Sequence, residues 1–250
     1  MDNQTSVSKI QTLITAAGDS RPVFLGSGFK LPKSLVKWNG KEVIVNALES
    51  YVVNPHNVTV AINQAENSEY KIDELINRVN PQARIVQVRN GVKGALATAL
   101  LGLAHLELES PLVIAAGDSI IKNGLYNHLE QFLQKGSSTA TIVFKSSNPR
   151  WSYLALDGNG RVRNVQEKKV VGAYATTGVF FFRTVGEFMN AAKWVLVNNA
   201  SINNNYYVST TLNFMISQGQ SLDYVEINRD DYVSLSLPSD FQKEVDPNGA

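Results

Sequence analysis

The chain has 250 residues, 44% of them hydrophobic, which is enough to bury the core of one α/β domain. Its 23 basic and 22 acidic side chains nearly cancel, so no overall field attracts nucleic acid or an anionic membrane, and an anionic ligand needs a local site. Cysteine is absent, which excludes disulfides, thiolate nucleophiles and cysteine-based zinc sites.

The sequence also argues against a membrane protein and a zinc hydrolase. Residues 1–9 are polar, and no later segment reaches the roughly 18 apolar residues that cross a bilayer, so we expect a cytoplasmic protein without a membrane partner. His56, His105 and His128 lack the spacing of metal ligands and are typical of surface or packing histidines.

Short apolar runs rich in β-branched residues alternate with longer amphipathic segments through the first two thirds of the chain. This alternation predicts a largely parallel sheet flanked by helices, an architecture that often binds nucleotides. The predicted strands cover residues 12–16, 58–63, 84–88, 111–115 and 139–144, and the predicted helices cover residues 41–52, 66–79, 95–106 and 122–134.

The pattern changes after residue 148, where a hairpin is predicted around a DGNG turn. The elements predicted from there on are hairpin strands at 153–156 and 161–166, a strand at 175–182, helices at 185–197 and 208–218, and a strand at 222–227. We expect a single domain over residues 1–250, with one half at about 10–148, a second at about 149–245, and fraying at 246–250.

The first predicted strand leads into small residues followed by an arginine, namely Ala16, Ala17, Gly18 and then Arg21. Ligands of an open α/β sheet gather where strands end, and small residues let a phosphate approach backbone N–H groups there. An arginine at this position can bind phosphate oxygens in a bidentate manner. A tight strand-to-helix turn needs the same residues, so this segment alone does not decide the function.

Two further segments could contribute to an anion site. Pro32 fixes the backbone before Lys33, which aims a cation, although a solvated lysine is the alternative. Residues 91–100 (GVKGALATAL) follow a predicted strand and begin a helix, where the loop around Gly94 can offer free N–H groups to a nucleotide or simply cap the helix. Neither the P-loop pattern nor a dinucleotide G-x-G-x-x-G fits the segment around Lys33.

Acidic residues follow in two places. Asp118 ends a buried apolar strand, where a carboxylate suits Mg²⁺ shared with phosphate oxygens, and a helix cap is the alternative. Glu167 and Lys168 precede another apolar strand, and together they suit a phosphosugar, because the carboxylate accepts hydrogen bonds from hydroxyls while the lysine binds phosphate. A surface charge run is the alternative for this pair.

In this order, the segments resemble the sugar nucleotidyltransferase superfamily, in particular its members for capsule and other surface-polysaccharide synthesis. The resemblance covers about residues 11–243 and consists of ITAAG at 14–18, Arg21, PK and Leu at 32–35, GK at 40–41, Gly94, the GD that ends in Asp118, EK at 167–168 and TG at 177–178. It implies a Rossmann-like three-layer sandwich with a mostly parallel central sheet. It also implies an enzyme that joins an NTP to a phosphorylated small metabolite, usually a sugar 1-phosphate, and releases pyrophosphate.

The resemblance assigns roles to individual residues and substrates to the two halves of the chain. Arg21, Lys33, Asp118 and Lys168 are implied to be catalytic, Ala16, Ala17, Gly18 and Gly94 to bind the nucleotide, Glu167, Lys168 and Gly178 to bind the acceptor, and Asp118 to carry Mg²⁺. The partners are then an NTP and a phosphorylated acceptor, with no nucleic acid and no membrane. The sequence does not show which nucleobase or which acceptor is used, or whether the protein forms a homo-oligomer.

The chain departs from the family pattern in three places. Gly18 and Arg21 stand one residue closer than usual and the second glycine of the motif is missing. Asn205 stands where many relatives have glutamate, and Ser234 opens a stretch that replaces a D-x-G-T-P-like motif, whose aspartate is a second metal ligand in several relatives. Two-metal geometry is therefore not supported by the sequence, and Asp230 or Asp231 could supply a second ligand only if the local backbone bends differently.

Two other functions stay open at this point. A glycosyltransferase of similar fold also ends a strand with a metal-binding acid, but it typically presents an Asp-x-Asp pair, whereas residues 117–119 (GDS) offer one acid. The second open function is that of a nucleotide-binding regulatory protein without catalysis. The missing glycine of the motif, Asn205 and Ser234 make this function plausible.

Overall fold

A computed structural model describes residues 7–242, so the fraying expected at residues 246–250 lies outside the described range. The strands are β1 (Gln11–Ala16), β2 (Lys37–Trp38), β3 (Lys41–Glu42), β4 (Val58–Asn63), β5 (Arg84–Val88), β6 (Leu112–Ala116), β7 (Ser119–Ile121), β8 (Thr139–Lys145), β9 (Ser152–Leu156), β10 (Val162–Glu167), β11 (Tyr174–Phe182), β12 (Leu222–Glu226) and β13 (Tyr232–Ser234). The helices are α1 (Arg21–Phe24), α2 (Val43–Tyr51), α3 (Gln64–Tyr70), α4 (Ile72–Val79), α5 (Gly94–Gly102), α6 (Tyr126–Lys135), α7 (Val185–Val197), α8 (Thr211–Ser217) and α9 (Pro238–Gln242). None of these helices combines the length and the apolar composition that a membrane span needs.

Within residues 7–242 the main sheet contains nine strands. In its first part β5, β4, β1 and β6 lie side by side and run parallel. In its second part β11 runs antiparallel to β6 and also pairs with β8 and β9, while β10 and β12 complete the sheet. The predicted α/β fold with a mostly parallel central sheet is confirmed.

Helices cover both faces of the parallel part, and the burial of β1 shows how. Ile14 packs in one core cluster with Ile44 of α2, whereas its neighbour Leu13 packs in another cluster with Leu96 of α5. Successive side chains of a strand point to opposite faces, so the two helices lie on opposite sides of the sheet. This arrangement produces the three layers and explains why every residue of β4 is buried.

The structure differs from the sequence prediction mainly at helix ends. The helix predicted at 66–79 is divided into α3 and α4 by Lys71, whose φ of +54° is left-handed. The helix predicted at 122–134 begins only at Tyr126, and residues 119–121 before it form β7, which pairs with β13. Each of these two strands has three residues, too few for alternation to reveal them in the sequence.

The reversal of β11 brings the two halves of the chain to one edge of the sheet. Because β11 is antiparallel to β6, its residues before Phe180 lie beside the residues that follow Ile114. Gly178 is close enough that an added Cβ would lie 3.5 Å from the Cβ of Ala116. The edge where β1 and β6 end is therefore continuous with the first residues of β11.

Candidate active site

Two cavities open along this edge and meet each other. The first cavity measures about 340 Å³ and contains six of the residues predicted from sequence: Ala16, Ala17, Gly18, Lys33, Gly94 and Asp118. The second cavity measures about 260 Å³ and contains Asp118, Glu167, Lys168 and Gly178. Thr15, Ala95, Ala116 and Asp118 line both cavities. Asp118 is thus the predicted residue that stands at their junction.

Hydrogen bonds from a buried acid hold the turn after β1. Glu66 is fully buried at the start of α3, and its Oε1 accepts hydrogen bonds of 2.7 Å from both the backbone N–H and the hydroxyl of Ser20. The Ser20 hydroxyl in turn accepts a 2.8 Å bond from the backbone N–H of Lys33. The Ser20 hydroxyl therefore links the turn to the backbone of Lys33, which sets the position of the lysine independently of its own side chain.

Arg21 lines neither cavity. Its guanidinium forms ion pairs with Asp19 at 3.0 Å and with Glu69 at 3.3 Å, and Asp19 also accepts a bond from Asn90. The hydrogen bond with Arg21 lowers the pKa of the Asp19 carboxyl. The structure thus gives Arg21 a role in fixing the turn, and its predicted role as a phosphate ligand stays a prediction.

Lys33 and Asp118 form an ion pair where the cavities meet. The Lys33 ammonium lies 2.5 Å from Oδ2 of Asp118, and the two side chains are 22% and 23% exposed. The backbone of Asp118 is fixed as well, because its carbonyl accepts a 2.8 Å hydrogen bond from the N–H of Leu235, next to β13. An ammonium and a carboxylate whose backbone is anchored therefore face the same partly open space.

The start of α5 forms another wall of the first cavity. Gly94 has a φ of +87°, and a Cβ there would overlap the backbone of Tyr206. The backbones are hydrogen-bonded here, since Tyr206 N–H donates to the Lys93 carbonyl and the Tyr206 carbonyl accepts from Leu96 N–H. Only glycine fits this close approach of two backbone segments, and the same segment brings Asn205 into the first cavity.

The Gly94→Ala variant should lose both stability and nucleotide affinity, because the new methyl group must displace the segment at Tyr206. Gly91→Ala is the matched control: its φ of +91° is also left-handed, but nothing lies within 4 Å of the new Cβ. We expect Gly91→Ala to cost about 1 kcal/mol of unfolding free energy through backbone strain and Gly94→Ala clearly more. Thermal melting and NTP titration check this, and equal losses in the two variants would contradict it.

In the second cavity the predicted acceptor residues have hydroxyl partners. Glu167 at the end of β10 accepts a 2.7 Å hydrogen bond from Ser209 and another from Ser152. The Lys168 ammonium donates a 2.8 Å bond to the Tyr207 hydroxyl and lies 5.0 Å from the centre of that ring. Lys168 has a φ of +55°, so the chain turns sharply directly after β10. The carboxylate and the ammonium are thus both held at this cavity.

The donor set at the junction fits a hard divalent cation that also takes oxygens from a substrate. Within residues 7–242 no three His, Asp or Glu side chains are close enough to form a metal site by themselves. Asp118 supplies one carboxylate, and the Lys33 ammonium beside it shows that a cation is accommodated there. One carboxylate with phosphate oxygens is a common arrangement for Mg²⁺.

Sequence reasoning missed several residues that build these cavities. Glu66 could have been noticed as the third residue after Asn63, a capping pattern that the structure contains, but its bond to Ser20 spans 46 residues. Arg150 lines the second cavity and is bound to Asp240, ninety positions further along the chain. Such contacts depend on the packed fold, and no local pattern reveals them.

Comparison with known proteins decides the family. A family model described as nucleotidyl transferase matches residues 28–225, more than three quarters of the chain. The chain belongs to the nucleotidyl transferase family. The predicted family and the predicted nucleotidyltransferase activity are confirmed by this match. The matched range contains Lys33, Gly94, Asp118 and Lys168, but it begins after the shortened turn at residues 16–21 and ends before Ser234.

Solved structures of nucleotidyltransferases share the fold. A nucleoside-diphosphate-sugar pyrophosphorylase from Vibrio cholerae RC9 is 17% identical with a TM-score of 0.79, covering 93% of this chain and 98% of that one. A UDP-glucose pyrophosphorylase complexed with UDP-glucose is 14% identical with a TM-score of 0.73, covering 95% and 97%. An inositol-1-phosphate CTP transferase from T. maritima is 15% identical with a TM-score of 0.68, covering 96% and 94%. A comparison with curated protein sequences finds no match.

Proposed function

We propose that this nucleotidyltransferase joins an NTP to the phosphate of a small metabolite, a sugar 1-phosphate or a similar phosphorylated polyol, and releases pyrophosphate. The observation that carries this proposal is the pair of cavities that meet at Asp118. The first cavity has small residues along the turn after β1 and at the start of α5. The second cavity has the Glu167 carboxylate and cationic side chains beside serine and tyrosine hydroxyls. An NTP suits the first cavity and a phosphorylated acceptor the second.

The reaction is a direct displacement at the α-phosphorus of the NTP. An oxygen of the acceptor phosphate attacks, the bond to the leaving pyrophosphate breaks, and no protein nucleophile is required. Both reactants are anions, so their repulsion is the main obstacle. Lys33 would neutralise the triphosphate in the first cavity and Lys168 the acceptor phosphate in the second, while Glu167 would accept hydrogen bonds from acceptor hydroxyls.

Asp118 would hold Mg²⁺ against the phosphate oxygens. The metal, when bound, would neutralise charge on the phosphates and align them. The resting pair of Lys33 with Asp118 supports this arrangement, since the ammonium can move to the triphosphate when a divalent cation takes its place beside the carboxylate. Arg21 would add to the neutralisation only after exchanging Asp19 or Glu69 for phosphate.

The two halves of the chain divide the substrates in this proposal. Residues of about 10–148 bind the nucleotide, and residues of about 149–245 bind the acceptor, in one continuous domain. A role in capsule or other surface-polysaccharide synthesis in the cytoplasm follows from the sequence resemblance and is proposed on that analogy. The similar structures include a nucleoside-diphosphate-sugar pyrophosphorylase and a UDP-glucose pyrophosphorylase, which supports a sugar phosphate as acceptor.

Pyrophosphate release with a panel of NTPs and phosphorylated acceptors tests the proposal. We expect one NTP and one class of sugar or polyol phosphate to support turnover in Mg²⁺. Transfer of a sugar from a nucleotide sugar without pyrophosphate release would instead indicate a glycosyltransferase. Tight NTP binding without turnover on any acceptor would indicate a regulatory protein.

The Lys168→Ala variant should lose acceptor use and keep NTP binding. Loss of one charged hydrogen bond to phosphate should reduce kcat/KM for the acceptor roughly tenfold to hundredfold, because Lys168 lines the second cavity and not the first. Acceptor kinetics and calorimetric NTP titration measure the two effects. The neighbouring exposed Lys169→Ala is the control and should change neither. Equal loss of NTP affinity and acceptor use would place Lys168 at the triphosphate.

A further inference from the structure

The segment of residues 232–241, which comprises β13, a short turn and the start of α9, lies beyond the range that the family model matches. Its first residues reach the second cavity, where Tyr232, Ser234 and Ser236 form part of the wall, and none of residues 232–241 lines the first cavity. The contacts of this segment nevertheless lead to both members of the ion pair between Lys33 and Asp118.

The segment is attached to the backbone of Asp118. Its strand β13 pairs with β7, which begins directly after this residue, and the N–H of Leu235 donates a 2.8 Å hydrogen bond to the Asp118 carbonyl. A few residues later the Asp240 carboxylate accepts two bonds of 2.8 Å from the Arg150 guanidinium. The Asp240 side chain is only 7% exposed, so the start of α9 has a fixed position relative to Asp118.

From α9 the side chain of Phe241 reaches the loop that precedes Lys33. Its ring centre lies 5.5 Å from that of Phe29 and 5.8 Å from that of the buried Phe24, and the rings of Phe24 and Phe29 are themselves 5.3 Å apart. Residues 25–31 are exposed apart from the half-buried Phe29. The contact with Phe241 therefore packs an otherwise exposed loop against α9.

The chain that follows Lys33 returns to the same place. Trp38 and Phe241 both pack against one buried apolar cluster, which consists of Val43, Ile120 and Leu235. Lys33 stands four residues after Phe29 and five residues before Trp38. The segments on both sides of the lysine are thus packed where α9 is packed.

These contacts complement the hydrogen bond between the Lys33 N–H and the Ser20 hydroxyl. That bond fixes one point of the Lys33 backbone. The aromatic contact at Phe29 holds the chain before this point, and the cluster at Trp38 holds the chain after it. The direction in which the lysine leaves the backbone toward Asp118 is therefore set by the 232–241 segment as well as by Ser20.

We propose that Phe241 is a positioning residue for Lys33: it holds the preceding loop against α9 and so places the ammonium at the junction of the two cavities. The inference rests on the proposed function, in which Lys33 neutralises the triphosphate. It goes beyond that function by giving a residue of the acceptor half a task in nucleotide binding. Phe241 itself lines neither cavity.

The first test is Phe241→Ala in the full chain. Calorimetry with Mg²⁺ and the α,β-methylene analogues of ATP, CTP, GTP, UTP and dTTP measures nucleotide affinity, beside steady-state kinetics. We expect nucleotide affinity and kcat/KM for the NTP to fall roughly tenfold, because a displaced cation stabilises the triphosphate less, while KM for the acceptor stays unchanged. Phe241→Leu, which keeps much of the apolar volume, should restore most of the loss.

Phe214→Ala is the matched control. Phe214 is also half-buried, its ring lies 5.8 Å from that of Trp194, and it lines neither cavity. Its truncation should lower the melting temperature to a similar extent and leave nucleotide affinity unchanged. If Phe241→Ala does not fold, Phe29→Ala removes the same ring contact from the side of the loop and should give the same results.

The decisive comparison places Phe241→Ala in the Lys33→Ala background. A residue that acts through the lysine should there reduce nucleotide affinity and kcat/KM by less than about twofold, because the group that it positions is already absent. A purely structural residue would cause the same fractional loss in both backgrounds. That second result would show the inference to be wrong.

Limited trypsin digestion examines the loop without reference to activity. Lys30 is exposed on it, and cleavage after Lys30, identified by mass spectrometry, should be faster in Phe241→Ala than in the wild type or in Phe214→Ala. Faster cleavage and Lys33-dependent loss of nucleotide affinity, without turnover on any acceptor, would reject the proposed function and support the inference. Normal turnover and normal nucleotide affinity in Phe241→Ala would reject the inference and leave the proposed function intact.

Discussion

The Asp118→Asn variant should lose pyrophosphate release by roughly a hundredfold to a thousandfold in Mg²⁺, with little change in melting temperature. The amide keeps the shape of the side chain and one acceptor oxygen but removes the charge, and so weakens its hold on Mg²⁺. A helix cap, the alternative role, would tolerate asparagine. Turnover is measured across a range of Mg²⁺ concentrations, and the residual activity should require more metal than that of the wild type.

Asp73→Asn is the matched control for this experiment. Asp73 lies in the first turn of α4, outside both cavities, and undergoes the same chemical change. It should leave turnover and its Mg²⁺ dependence unaltered. Full activity of Asp118→Asn at the Mg²⁺ level that saturates the wild type would show that this carboxylate does not hold the metal.

The Lys33→Ala variant should reduce kcat/KM for the NTP by roughly a hundredfold or more while the protein stays folded. The lost ammonium would have neutralised the triphosphate. The fold should survive, because the backbone N–H of Lys33, and not its side chain, binds the Ser20 hydroxyl, and a partly exposed ion pair contributes little to stability. Steady-state kinetics and thermal melting measure the two effects separately.

Lys41→Ala is the control for Lys33→Ala, since Lys41 forms an exposed ion pair with Glu49 and lines neither cavity. It should alter neither kinetics nor stability appreciably. Near-normal turnover of Lys33→Ala would show that this residue does not take part in the reaction. The double variant Lys33→Ala, Asp118→Asn should lose less than the product of the two single losses, because the side chains are in direct contact.

Much of the fold could be predicted because its signals are local. The strand at residues 58–63 matches β4 to the residue, since a short apolar run rich in β-branched residues is typical of a strand buried on both faces. Gly94 and Asp118 could be proposed as site residues because each follows or begins an element at the edge where parallel strands end, and Lys33 because Pro32 fixes the backbone before it. Gly94 is the clearest case, since its backbone conformation and its contact with Tyr206 both require glycine.

The parts that could not be predicted depend on contacts between distant segments. Arg21 follows the turn after β1, where an arginine can bind phosphate, although it stands one residue closer to Gly18 than usual. In the structure Asp19 and Glu69, the latter forty-eight residues away, bind its guanidinium outside the cavities. Arg150 looks like an ordinary loop arginine until the fold brings Asp240 beside it. Ion-pair partners are set by tertiary packing, so the spacing of charged residues in the sequence does not identify them.

The meeting of the two cavities at a single carboxylate has a consequence for stereochemistry. In the proposed reaction an acceptor oxygen would arrive from the second cavity and reach the α-phosphorus from one side, and pyrophosphate would depart into the first cavity on the other. A single displacement of this kind inverts the configuration at phosphorus, whereas a covalent intermediate on the protein would need two displacements and retain it. The test uses an NTP whose α-phosphorus is made chiral by a sulfur atom. An inverted configuration in the product would indicate a single displacement between the two cavities, and a retained configuration would indicate a covalent intermediate.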